Sequence, residues 1–195
     1  MNKGLKPLLL FDFNQQQNLF RRLIRAENLL DNPGKGDCFF YSIINNIDKE
    51  KLNNISMIEL RYLVSIMLKN LKNNRENRLY KYIEGIENYD EYCEWIIKQG
   101  NWNNGNNYSN FELILSLLSE EYDIDIVVLV KFKKNKNDIT NDVIHSYLYS
   151  SNNSEGKKNN RIIIYYNESS QHYQTIIRDK FINTIPINNF IEIVE

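Results

Sequence analysis

The chain has 195 residues, 42% of them hydrophobic and 12% aromatic, with 13 Tyr and 9 Phe. That is enough to bury one core, short for two full domains, and too rich in large apolar side chains for a disordered chain. Twenty-four basic against 25 acidic residues leave a net charge of −1, which removes the broad basic field of a nucleic-acid binder. Two Cys and two His exclude a Cys-rich zinc site and a disulfide framework, and no segment approaches the ~20 apolar residues of a membrane span. The expectation is one soluble domain over 1–195 in a reduced, intracellular, cytoplasmic setting, with no metal, no cofactor, no nucleic acid and no membrane as partner.

Residues 15–30 place Leu19, Leu23 and either Ala26 or Leu30 at helical spacing, with Arg21, Arg22 and Arg25 on the other face, which predicts an amphipathic helix. Asp31-Asn32-Pro33-Gly34 stops it, and Gly34-Lys35-Gly36 leads as a permissive loop into Asp37-Cys38. A second helix begins there, carrying Phe40, Ile43, Ile44 and Ile47, with Asp37 as its expected N-cap and Cys38 in its first turn. Ser56 and Glu59 form a capping box ahead of Leu60, Val64, Met67 or Leu68, and Leu71. Tyr82 to Ile96 reads as helical pieces broken around Gly85 and ended by Gly100. A polar loop over 101–110 precedes a second capping box, Ser109 with Glu112, before Leu113, Leu117 and Leu118. Asp125 to Phe132 reads as a strand covered on both faces, and Val143 to Tyr149 as an edge strand. Arg161 to Tyr166 and His172 to Ile177, joined by Asn167 to Gln171, give a β-hairpin. Helices followed by strands indicate an α+β fold.

A Cys in the first turn of a helix, behind a glycine loop, has a physical reason to be reactive. The free N–H groups and helix dipole favour the thiolate, and the backbone N–H groups of Lys35, Gly36 and Cys38 offer a place for a developing oxyanion. A small buried side chain at a helix start reads equally well from Cys38 alone. Thiolate chemistry also needs a base, and the chain has His145 and His172. His172 opens a strand after a polar turn, with Gln174 two residues on and on the same face, where its amide oxygen can hold the imidazole N–H. Asp31 and Glu168 are further acids for that place. His145, within Val143-Ile144-His145-Ser146-Tyr147, has no such companion and reads as structural, as does Cys93, which lies between Glu91 and Glu94.

These blocks resemble the ovarian-tumour (OTU) family of papain-like cysteine proteases, which are deubiquitinases. Lys35-Gly36-Asp37-Cys38-Phe39-Phe40-Tyr41-Ser42 is similar to the family's nucleophile block at every position but the first, where Lys35 replaces an acid. Ile162 to Tyr166, a polar turn and His172-Tyr173 resemble its base block. Glu59-Leu60-Arg61, Trp102-Asn103-Asn104 with Phe111-Glu112-Leu113, and the strand from Ile124 to Leu129 resemble landmarks between them. The resemblance spans about residues 30–178, leaving a helical extension over 1–29 and a short tail over 179–195. It implies a papain-like OTU fold, with a central mixed or antiparallel sheet flanked by helices. It also implies a triad of Cys38, His172 and Gln174, where the family has Asp or Asn at the third position. The backbone at Lys35, Gly36 and Asp37 would hold the oxyanion. The implied partner is ubiquitin, polyubiquitin or a ubiquitin-like modifier. The alternatives are an OTU-like module that binds ubiquitin without cutting it, and an interaction domain in which Cys38 and His172 only pack.

Overall fold

The computed structural model describes residues 13–34, 36–47, 54–84, 86–100, 111–132, 143–151 and 161–177. The expected elements at 1–12, 101–110 and 178–195, including the Trp102 loop and the Ser109 cap, lie outside them, as does Lys35. Among the described residues no helix is long and apolar enough to cross a membrane.

Among the described residues, five helices and five strands follow in the order α1 (Phe13–Leu23), β1 (Leu29–Leu30), α2 (Cys38–Ile44), α3 (Met57–Lys72), α4 (Tyr89–Ile97), α5 (Phe111–Tyr122), β2 (Asp125–Phe132), β3 (Val143–Tyr149), β4 (Arg161–Asn167) and β5 (His172–Ile176). Short 3-10 turns over Ala26–Asn28 and Arg78–Tyr82 join them. The strands form one sheet in the order β1-β5-β4-β2-β3. Pairing is antiparallel except between β2 and β4, which run parallel, so the sheet is mixed and the fold is α+β, as the pattern of elements implies.

Strand alternation divides the apolar residues between two layers. Ile126, Val128, Val130, Ile162 and Ile164 pack under α2 to α5 against Phe39, Leu60, Leu68, Tyr92, Ile96 and Leu118. Val127, Leu129, Ile163 and Tyr165 face α1 through Phe20 and Leu23. β2 is therefore covered on both faces, and β3 lies at one sheet edge, both as expected. That edge meets α1: buried Gln17 donates from Nε2 to the Ile144 carbonyl at 2.8 Å and accepts the Ile144 N–H on Oε1 at 2.9 Å.

Two sequence expectations need correction. The helix read over 15–30 ends at Leu23, where Asn28 Nδ2 takes up the Arg22 carbonyl at 2.8 Å. The two leucines assigned to its end form β1, which pairs Leu29 with Ile176 and Leu30 with Thr175. A leucine pair satisfies a helix stripe or a sheet edge equally well, and the partner strand decides. Asp37 occupies the N-cap position of α2, but its side chain makes no cap bond; the carboxylate is committed to α3 instead. The Ser56–Glu59 capping box of α3 is formed in both halves.

Candidate active site

The sequence brings Cys38 and His172 together through the residue that follows each. Phe39 and Tyr173 meet edge-on, with ring centroids 5.2 Å apart, and Phe111 and Tyr166 close the cluster at 4.7 Å from Phe39 and 4.6 Å from Tyr173. Aromatic packing of this kind holds α2 on β5. The Tyr173 N–H donates to Cys38 Sγ at 3.5 Å, so the thiol sits against the peptide directly after His172. Asn32, read in the sequence only as part of the Asp31-Asn32-Pro33-Gly34 stop, secures the same junction. This buried amide donates to the carbonyls of Cys38 (3.3 Å) and Tyr173 (3.1 Å) and accepts from Asn45 (3.1 Å) and Thr175 (3.0 Å). A Pro-Gly-adjacent Asn reads as a turn residue in sequence, and only its burial tells otherwise.

His172 opens β5 after a turn in which Gln171 takes a positive φ of 50° and Asn167 Oδ1 accepts the Ser169 N–H at 3.1 Å. Its Nε2 lies 2.9 Å from Asp31 Oδ1. A carboxylate only accepts, so this contact favours the tautomer with the proton on Nε2, in which Nδ1 is the acceptor. Gln174 donates from Nε2 to the same Asp31 oxygen at 3.3 Å and makes no hydrogen bond to His172. The structure thus places the amide on the acid, where the sequence reading placed it on the ring. The register explains why: Leu30 pairs with Thr175, so Asp31 falls opposite Gln174 and diagonal to His172, within reach of both. Glu168, the other acid considered, lies exposed in the turn. His145 is exposed on β3, edge-on to Phe132 at 5.0 Å, at the sheet edge remote from β1.

Gly36 has φ 91°, a left-handed conformation that glycine alone adopts without strain, and its carbonyl is held by Arg61 Nη2 at 2.7 Å. Asp37 Oδ1 takes Arg61 Nη2 at 2.6 Å, Arg61 Nε at 3.0 Å and the Gly100 N–H at 3.2 Å. Lys35 lies outside the described residues. Among those described, no group of three or more His, Cys, Asp or Glu side chains is arranged to hold a metal ion.

Cys38 is 3% exposed, and burial pushes its thiol above the ordinary value. The N–H groups of Tyr173, Phe39 and Cys38 itself oppose that shift, and the Asp37 carboxylate adds to it. The direction runs against the sequence expectation of a depressed thiol: at the start of a seven-residue helix, desolvation is the largest influence on Cys38. Cys93, likewise buried, is pushed up to about 11, chiefly by burial. Burial thus favours the neutral thiol at Cys38 over the thiolate. Iodoacetamide labelling of Cys38 in the free protein is accordingly expected to keep rising as pH passes the ordinary thiol value of about 8.5. A plateau reached below neutrality, read by peptide mass spectrometry, would show a standing thiolate.

A model of the family described as OTU-like cysteine protease matches residues 33–173. No curated protein sequence matches the chain. Among solved structures, the fold is similar to an OTU deubiquitinase from Wolbachia pipientis wMel bound to ubiquitin, with TM-score 0.51 and 15% identity over 78% of this chain and 97% of that one. It is also similar to the Hazara virus OTU bound to ubiquitin, with TM-score 0.47 and 15% identity over 75% of this chain and 78% of that one. The family match runs from before the Gly36 loop to Tyr173 and takes in most of the sequence, so the chain belongs to the OTU-like cysteine proteases.

Proposed function

We propose that this chain is a deubiquitinase that hydrolyses the isopeptide bond between the C-terminus of ubiquitin and a lysine, using Cys38 as nucleophile, His172 as base and Asp31 to orient the base. The observation that carries the reading is the 2.9 Å contact of His172 Nε2 with Asp31, one residue away from the Tyr173 N–H that touches Cys38 Sγ. An imidazole held by a carboxylate beside a thiol is the arrangement acyl transfer needs. The choice of ubiquitin rests on the family and on its ubiquitin-bound members.

His172 Nδ1 takes the thiol proton as sulfur bonds to the carbonyl carbon, and the carbonyl electron pair moves to oxygen. The backbone N–H groups around Gly36 and Asp37 stabilise that oxyanion. Collapse breaks the C–N bond, and the amine leaves with the proton from His172. Water, deprotonated by His172, then attacks the thioester and returns the thiol. Burial, which favours the neutral form of Cys38, suits this order, because proton transfer accompanies attack. Asp31 keeps the ring in one tautomer and stabilises the imidazolium formed in each step. Gln174 steadies Asp31.

The near-complete burial of Cys38 favours one second reading, a module that binds ubiquitin without cutting it. A ubiquitin bearing a C-terminal propargylamide separates the two. The expected result is a covalent adduct at Cys38 that Cys38→Ala abolishes and Cys93→Ala retains. Binding without an adduct would establish the second reading, and an adduct that survives Cys38→Ala would remove Cys38 from the chemistry.

A further inference from the structure

A third side chain besides Cys38 and His172 engages the loop before the nucleophile. Arg61 is 1% exposed and lies with its guanidinium carbon 4.2 Å from the centre of the Phe40 ring. It donates to the Gly36 carbonyl (2.7 Å), to Asp37 Oδ1 (2.6 and 3.0 Å) and to the Ile96 carbonyl near the end of α4 (2.7 Å). A guanidinium is costly to bury, and this one is compensated by a carboxylate, two carbonyls and an aromatic face. Its two loop contacts fall on the two residues immediately before Cys38.

The effect on the loop follows from peptide geometry. The peptides of the described residues are all trans, and in a trans peptide the C=O and the following N–H point in opposite directions. With its carbonyl turned into the core towards Arg61, the Gly36–Asp37 unit presents the Asp37 N–H on the opposite side. Glycine makes this conformation affordable and also makes its reversal cheap, since Gly36 crosses between positive and negative φ with little penalty. A flipped peptide would aim a carbonyl oxygen where a donor is needed. We infer that Arg61 is the positioning residue of the oxyanion site: by gripping the Gly36 carbonyl and the Asp37 carboxylate together, it locks the Gly36–Asp37 peptide with its N–H available to the oxyanion formed at Cys38. The inference rests on the reading of Cys38 as an acyl-transfer nucleophile. Lysine would not substitute, because a point charge cannot span a carbonyl and a carboxylate as the planar fork does.

The test compares two reactions of the same sulfur. p-Nitrophenyl acetate acylates Cys38 through a tetrahedral oxyanion, forming the S–C bond and releasing p-nitrophenolate as the thiol proton passes to His172. Iodoacetamide alkylates it by displacing iodide, with no oxyanion. In Arg61→Lys, acylation is expected to fall by about 10-fold or more while alkylation stays within about 2-fold. Arg61→Gln, which loses the charge but still donates to the Gly36 carbonyl, is expected to lie between Arg61→Lys and the parent. Both variants are assayed below their measured melting temperatures. Acylation and alkylation falling together, or neither falling, would overturn the inference and leave Arg61 a packing residue. Neither reagent involves ubiquitin, so a wrong substrate class leaves this result intact. A parent chain that the ester does not acylate at Cys38 would instead overturn the nucleophile reading itself.

Discussion

Replacement of His172 by Ala is expected to lower the hydrolysis of a ubiquitin C-terminal fluorogenic amide by about 10²–10⁴-fold, the usual contribution of a positioned general base. Burial of Cys38 disfavours a standing thiolate, so attack calls for a proton acceptor and the loss should fall on kcat. The fold should tolerate the change. His172 sits at the start of a strand with 21% of its side chain exposed, its ring bonded to a solvent-facing carboxylate, and little apolar packing is removed. His145→Ala, at the far sheet edge, is expected to stay within about 2-fold of the parent. Equal rates for the two variants would remove His172 from the mechanism.

Asp31 carries the second largest expectation. Its side chain is 79% exposed, so its pairing with His172 adds little to stability, and the melting temperature of Asp31→Ala should match the parent's. Turnover should not. Losing both orientation and charge is expected to reduce kcat by about 10²-fold, whereas Asp31→Asn keeps an acceptor for the ring and should lose less. Gln174→Ala, which touches Asp31 and leaves the ring bond in place, is expected to cost only about 2- to 5-fold. The informative result is the order. If Gln174→Ala falls further than Asp31→Ala in side-by-side cleavage of di-ubiquitin, the third role belongs to Gln174.

That assignment marks where sequence stops being sufficient. The capping box at Ser56, the doubly covered β2 and the β4–β5 hairpin are encoded within a few residues, and each is legible locally. The Cys38 loop and the start of β5 at His172 are legible for the same reason. Asp31 stands 141 positions from His172, and its place follows from the pairing of Leu30 with Thr175, which local pattern does not fix when a leucine pair also completes a helix stripe. Gln174 has the right spacing on the strand, yet strand spacing fixes only the face, and the neighbouring edge strand supplies a stronger acceptor. Arg61 is visible as part of Glu59-Leu60-Arg61, but its grip on Gly36 depends on how α3 docks against α2. The thiol shift escapes for a related reason: a helix N-terminus is written in sequence, while desolvation is a property of everything that packs over it.

Gln17 bears on how the exposed edge of β3 is covered. Its amide takes both outward-facing groups of Ile144 on β3, the slot that a strand from another chain would otherwise fill. Sheet extension at that edge requires pulling a buried side chain out and leaving its amide unpartnered, a cost that falls on the first incoming strand before any ladder forms. At the opposite edge the two residues of β1 offer too short a template for stable addition. Among the described residues, one glutamine at one end of the sheet and brevity at the other thus leave little template for fibre-like growth.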